Sequence, residues 1–141
     1  MRHARVGHSG FTLIELLVVL VILGLLAGVV GPRVINYLGG AKTDTARLQI
    51  QDMAAALDLY RLDVGRYPNN QEGLQALVEA PAGGTRWNGP YLKKKNIPLD
   101  PWGNPYQYKM PGEHETFDLF TLGQDNQPGG DGENSDIGNW Q

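Results

Sequence analysis

Between Phe11 and Val30 the chain reads FTLIELLVVLVILGLLAGVV, twenty residues that hold a single charge, Glu15. As a helix rising about 1.5 Å per residue, this run covers roughly 30 Å, the thickness of a bilayer's hydrocarbon core. Leu, Val and Ile fall all round such a helix, so it has no polar face to turn to water. The ten residues before it carry Arg2 and Arg5 and no acid. Basic residues beside a first span hold that end in the cytoplasm, so the rest of the chain is expected to cross. The first expectation is therefore a single-pass inner-membrane protein with a cytoplasmic N-terminus and its C-terminal domain on the far side.

The remainder of the chain differs in character. From Arg33 onward there are 10 basic and 14 acidic residues, a net charge of −4, and the stretch 111–141 holds seven acids and no Lys or Arg. Apolar residues make up 41% of the 141 and charged residues 19%, which supports one folded domain beyond the apolar run. The formal charge of −3 argues against nucleic acid as a partner, because counterion release needs a basic surface. The absence of cysteine excludes a disulfide framework, a thiolate metal site, a cysteine nucleophile and a lipidated cysteine anchor.

A secretory signal peptide is the plainest alternative for 11–30. Its cleavage site would be sought near Val29-Val30-Gly31, but Pro32 follows and hinders a cut there. Glu15 also suits such a segment poorly, since a carboxylate at helix depth costs roughly 2.5–3.5 kcal/mol on insertion scales. It must either snorkel to the interface or find a cation. The basic leader followed by Gly10-Phe11-Thr12-Leu13-Ile14-Glu15 resembles the processing signal of the type IV pilin and pseudopilin superfamily. The resemblance implies that a prepilin peptidase cuts between Gly10 and Phe11, discards the leader 1–10 and N-methylates Phe11. Residues 11–32 then form the transmembrane and assembly helix, and 33–141 a periplasmic globular domain. The new Phe11 amine is a cation, and Glu15 of one subunit can neutralise the amine of a neighbour within a shared apolar bundle.

Helical periodicity continues beyond the span. Ala46, Ile50, Met53, Leu57 and Tyr60 recur at spacings of 4, 3, 4 and 3, the core-facing side of a helix. Gly31-Pro32 and Gly39-Gly40 interrupt the run between the two parts, and the proline predicts a kink or a local opening. Asp63-Val64-Gly65-Arg66-Tyr67-Pro68 predicts the helix end, and 69–78 predicts a short second helix with an Asn cap. Lys93-Lys94-Lys95 reads either as a docking patch for an acidic partner or anionic lipid, or as a solvated loop. Asp100-Pro101-Trp102-Gly103-Asn104-Pro105 is a dense turn signal. Tyr106-Gln107-Tyr108 and 117–122 predict two antiparallel strands, with a third within Ile137-Gly138-Asn139-Trp140. Trp102, Tyr106 and Trp140 read as core. The expected class is α+β: a long N-terminal helix, half transmembrane and half packed, a short helix, a small antiparallel sheet and a C-terminal calcium loop.

That loop, GQDNQPGGDGENSD, is too polar and too rich in Gly to fold on apolar burial. Asp125, Asp131, Glu133 and Asp136 have no basic neighbour in it, so it is either a solvated acidic loop or one joined by a cation. Hard oxygen ligands without His or Cys favour Ca²⁺ over zinc. Asp125, Gly130 and Asp136 match the first, sixth and twelfth places of an EF-hand. Gly129 removes a ligand at the fifth place, and no helices flank the loop, so it is not an EF-hand.

The Asp100–Tyr106 turn, Leu122-Gly123-Gln124-Asp125 and Asp136-Ile137-Gly138-Asn139-Trp140 together resemble the major (G-type) pseudopilins of type II secretion. Tyr60, Tyr67-Pro68 and Glu72-Gly73-Leu74-Gln75-Ala76-Leu77 fit the same family. The resemblance implies Ca²⁺ held by the carboxylates of Asp125 and Asp136 and the carbonyls of Leu122 and Gln127. Ser135 stands where some members carry an aspartate, so a further oxygen would come from Asp131, Glu133 or a carbonyl. It also implies a structural subunit, a homopolymer joined by minor pseudopilins and raised by an inner-membrane assembly platform and a cytoplasmic ATPase. Such a periplasmic fibre drives folded proteins across the outer membrane. A type IV pilin of an adhesion or motility fibre is the alternative, but those usually close their C-terminal region with a disulfide. An enzyme is not expected: Glu113 and Glu115 are paired acids, but His3, His8 and His114 complete no catalytic arrangement.

Overall fold

A computed structural model of the chain describes residue 7 and residues 9–141; Arg2 and Arg5 of the basic leader lie outside the described residues. It divides into two units, Met1–Tyr37 and Leu38–Gln141. Helix α1 runs Leu13–Val64. In the first unit every residue from 11 to 30 is exposed within the chain. A kink or opening is expected at Pro32 and an interruption at Gly39-Gly40, yet the backbone stays α-helical at all three. The reason at Pro32 is local. Its ring crowds the Cβ of the residue before it, and that residue is Gly31, which has none.

In the second unit the predicted stripe is the core. Ala46, Ile50, Met53, Leu57 and Tyr60 are all buried and meet Leu74, Leu77, Tyr106, Phe117, Leu119 and Ile137. The helix ends as its sequence predicts. Gly65 takes φ +88°, and its N–H donates to the Arg61 carbonyl at 2.8 Å, an αL cap.

The predicted helix over 69–78 is corrected to a single 3₁₀ turn, Leu74–Leu77. The expected Asn cap is not on it: its N-cap is Gly73, with no side-chain hydrogen bond, and Asn69 closes the preceding turn, where Glu72 N–H donates to Asn69 Oδ1 at 2.8 Å and Asn69 N–H donates to Glu72 Oε2 at 2.9 Å. Gly73 then takes φ 57° and ψ −161°, which no helix accommodates. Glu72 also receives both Arg66 guanidinium nitrogens at 2.7 Å, and this bidentate partner holds its carboxyl below the usual range.

Three strands complete the unit: β1 Gln107–Lys109, β2 Asp118–Thr121 and β3 Ile137–Gly138. They form one antiparallel sheet in the order β1-β2-β3, with Tyr108 opposite Leu119 and Thr121 opposite Ile137. Asn139 extends the short β3 with its side chain, accepting from Leu119 N–H at 2.9 Å and donating to the Phe117 carbonyl at 3.0 Å. Tyr106 is buried as predicted, Trp102 packs partly against the core, and Trp140 lies half-buried, stacked on His114 at 3.9 Å.

The turn before β2 is organised by Asp118, which is 2% exposed. Its carboxylate accepts from the N–H groups of Glu113 at 2.8 Å, Glu115 at 3.1 Å and His114 at 3.2 Å, and meets His114 Nδ1 at 2.9 Å. Burial alone would raise its pKa. The His114 contact and the three backbone donors outweigh that and lower it from 3.8 to about 2. A carboxyl held low in the folded state contributes stability that is complete above its unfolded pKa, near pH 4, and is lost as the pH falls through its folded value. Asp118→Asn is expected to cost about 1–3 kcal/mol at neutral pH. The gap to wild type should close as the pH falls from about 4 toward 2. Denaturant unfolding of the full chain in detergent across that range checks it; a gap independent of pH would show that the charge is not what the turn uses.

Candidate functional site

The N-terminal site starts from a cap. Helix α1 begins at Leu13, and Thr12 precedes it. The Thr12 hydroxyl accepts from Glu15 N–H at 3.2 Å, and its carbonyl accepts from Leu16 N–H at 3.1 Å. Thr12-Leu13-Ile14-Glu15 is thus a capping-box sequence, a signal overlooked when Glu15 is read only as a charge partner. Glu15 lies in the first turn, where the helix dipole favours a carboxylate by about 0.3–1 kcal/mol. That offsets only part of the roughly 2.5–3.5 kcal/mol insertion cost. Phe11 is 89% exposed and shares one shallow concavity with Ile14, Glu15, Val18 and Val19. The structure therefore brings the predicted Phe11 and Glu15 together on one surface, with Gly10 exposed just before them.

The acidic loop joins β2 to β3. Leu122, Asp125 and Gln127 lie on its outgoing limb, and Asp131, Glu133 and Asp136 on its return. Asp125 Oδ1 accepts from Gln127 N–H at 3.2 Å, and Asp136 Oδ2 accepts from Gly129 N–H at 3.0 Å. Asp136 Oδ1 is buried without a hydrogen-bond partner. The two limbs are tied where Gln124 N–H donates to the Glu133 carbonyl at 2.8 Å. Gly123 sits at φ 74°, and a Cβ there would lie 2.6 Å from the Glu133 carbonyl oxygen, so only glycine allows this approach. A short 3₁₀ turn, Gly132–Asn134, shapes the return.

Glu133 faces away from the other acids. Its Oε1 accepts from the Trp102 indole N–H at 3.1 Å, and its side chain lies so close to Gly39 that a Cβ there would come within 2.9 Å of Glu133 Cδ. Nothing in the sequence ties these three residues together, because the contact is long-range. Among the described residues, no three Asp, Glu or His side chains converge as a metal-binding group. A cation here would therefore lean on backbone carbonyls as well as on carboxylates. Lys93, Lys94 and Lys95 are exposed, and among the described residues none forms an ion pair within the chain.

Two stretches of the chain match known families. Residues 33–140 match the family described as Type II secretion system (T2SS), protein G, and residues 5–31 match the prokaryotic N-terminal methylation motif. The type II secretion system core protein G of Pseudomonas aeruginosa is 52% identical over 140 residues, covering 96% of this chain and 97% of the relative. That of Vibrio cholerae is 47% identical over 136 residues, covering 94% and 92%. The crystal structure of the major pseudopilin from the type 2 secretion system of enterohaemorrhagic Escherichia coli superposes with a TM-score of 0.61 at 33% identity. It covers 75% of this chain and 92% of its own. With its apolar helix, its small antiparallel sheet and relatives that match it almost end to end, this chain belongs to the type II secretion system protein G family, the major pseudopilins.

Proposed function

We propose that this chain is a structural subunit that polymerises into a periplasmic pseudopilus and thereby drives folded proteins across the outer membrane. The observation that carries the reading is the exposed apolar surface from 11 to 30, interrupted only by Thr12 and by Glu15 in the first helical turn. Lipid tails and neighbouring apolar helices cover such a surface about equally well, so a subunit can pass from bilayer to fibre without stranding polar groups. The charge pair supplies what apolar contact lacks, a preferred axial register. Glu15 sits beside Phe11, whose amine is free once the chain is cut after Gly10. Neither charge is comfortable alone in an apolar bundle, and each subunit offers both to its neighbours.

The partners follow from that role: further copies of the chain, minor pseudopilins, a prepilin peptidase and an inner-membrane assembly platform. The subunit is anchored in the inner membrane by one span, with its N-terminus cytoplasmic and its C-terminal domain periplasmic. It performs no catalysis; its work is assembly.

The acidic loop holds Ca²⁺ in this reading, through the carboxylates of Asp125 and Asp136 and the carbonyls of Leu122 and Gln127. The buried, unpartnered Oδ1 of Asp136 supports it, since an orphaned carboxylate oxygen is satisfied by a cation. Asp131 is exposed on the loop, whereas Glu133 already accepts from Trp102, so Asp131 is the better placed to supply a further oxygen. The ion would supply charge neutralisation and loop rigidity.

Three outcomes are expected. Gly10→Leu should leave the protein at precursor mass in cells with an active prepilin peptidase, read by mass spectrometry of the N-terminus; normal processing would reject the Gly10–Phe11 cut. Glu15→Leu should still insert and be processed, yet sheared fibre yield should fall roughly tenfold or more, as expected for loss of about 1.4 kcal/mol or more per contact. An undiminished yield would end the charge-pairing role. For the full chain in detergent, Ca²⁺ at about a hundredfold over its Kd should stabilise by about 2.7 kcal/mol, and the gain should vanish with chelator or in Asp136→Ala. Identical melting with and without Ca²⁺ would remove the ion from the account.

A further inference from the structure

Beneath the loop lies a buried polar chain that the assembly reading does not use. Asp100 is 4% exposed and Thr121 fully buried. Asp100 Oδ1 accepts from the N–H groups of Trp102 at 3.0 Å and Asn104 at 2.8 Å, closing the 100–105 turn. Asp100 Oδ2 accepts from the Thr121 hydroxyl at 2.5 Å. The same Thr121 oxygen accepts from Gly123 N–H at 3.1 Å, and Asn104 Nδ2 donates to the Gly123 carbonyl at 3.2 Å.

The Gly123 N–H belongs to the same planar peptide unit as the Leu122 carbonyl. In a trans peptide the two point in opposite directions, so fixing one fixes the other. We propose that Asp100 and Thr121 are positioning residues for the calcium loop: the Thr121 hydroxyl, held by Asp100, locks the Leu122–Gly123 peptide and so sets the direction of the Leu122 carbonyl before the ion arrives. The proposal rests on the reading that this loop binds Ca²⁺. It goes beyond the ligands themselves to a donor–acceptor chain that reaches them from another turn of the fold. The returning limb packs close against Gly123, where a Cβ would meet the Glu133 and Ser135 carbonyls at 2.6 and 2.8 Å, so only glycine fits. The peptide thus has hydrogen bonds on one side and the returning limb beside it. A carbonyl aimed in advance loses little freedom on binding the ion, and that gain appears as affinity.

The test compares Thr121→Val, Thr121→Ser and wild type as full chains in detergent, titrated calorimetrically with Ca²⁺ after chelator treatment, with melting recorded without the ion. Val keeps the shape and removes the hydroxyl; Ser keeps the hydroxyl. Thr121→Val should weaken Ca²⁺ binding about tenfold or more, while Thr121→Ser stays close to wild type. Wild-type affinity in Thr121→Val, whatever its melting temperature, would overturn the proposal by showing that the network only stabilises the turn. If Thr121→Val does not melt cooperatively, Asp100→Asn serves instead. It retains an oxygen for the turn and changes the group facing Thr121, and a loss of at least about threefold is expected, with unchanged affinity overturning the proposal. Wild type taking up no Ca²⁺ is a separate result: it defeats the calcium reading itself and this proposal with it.

Discussion

The second unit stands on one buried face of one helix. Its strands have three, four and two residues, too short to hold together as a free sheet. Ala46, Ile50, Met53, Leu57 and Tyr60 give them a surface to close against, and Leu119 and Ile137 of the sheet are buried on it. Each large side chain buried there contributes about 1.5–3 kcal/mol. The rest of the unit is largely turns, and its backbone groups are satisfied by side chains in place of a ladder. Asn70 donates to and accepts from Met110, Tyr108 donates to the Pro68 carbonyl, and the Trp87 indole donates to the Ala76 carbonyl.

The same dependence explains what was legible in the sequence. Periodicity reports burial, so the 46–60 stripe, the strands and the αL end at Gly65 could be read directly. Gly73 could not, because a glycine in a sequence does not announce the sign of its φ; Asn69 closes a turn that breaks at Gly73, and the 3₁₀ turn after it has no side-chain cap. At Pro32 the expected opening depends on the residue the ring crowds from behind, and Gly31 has no Cβ there. Thr12 was readable from its spacing to Glu15 and was overshadowed by the more specific processing motif. The Glu133–Trp102–Gly39 contact and the Asp100–Thr121–Gly123 chain join residues far apart in sequence, and no local pattern marks them.

The two parts of helix α1 are governed by opposite rules. From 46 to 60 one face is apolar and is covered by the chain's own loops. From 11 to 30 the residues are apolar all round but for Thr12 and Glu15, and among the described residues none buries them. The surface in the first part must be covered by lipid or by other helices. The single carboxylate at the start of that surface is eased by cap and dipole together, and the proposed assembly adds a neighbour's amine to it.

The acids of the C-terminal stretch also separate by what already satisfies them. Asp118 is occupied by three backbone donors and His114, Glu113 pairs with Lys109, and Glu133 accepts from Trp102. Asp100, just outside that stretch, is filled by its own turn and Thr121. By contrast, Asp125 and Asp136 accept only backbone N–H groups of the loop, and one oxygen of Asp136 is buried with none. A run of acids that looks uniform in composition therefore reduces to a small set with unmet demand, all on the β2–β3 connection. Electrostatic repulsion alone would open that connection. Yet its limbs are tied at Gln124 and Glu133 and held to the rest of the unit through Gly123. The pinned backbone and the buried Oδ1 of Asp136 are what the proposed Ca²⁺ reading draws on, since an ion would meet oxygens already held in place.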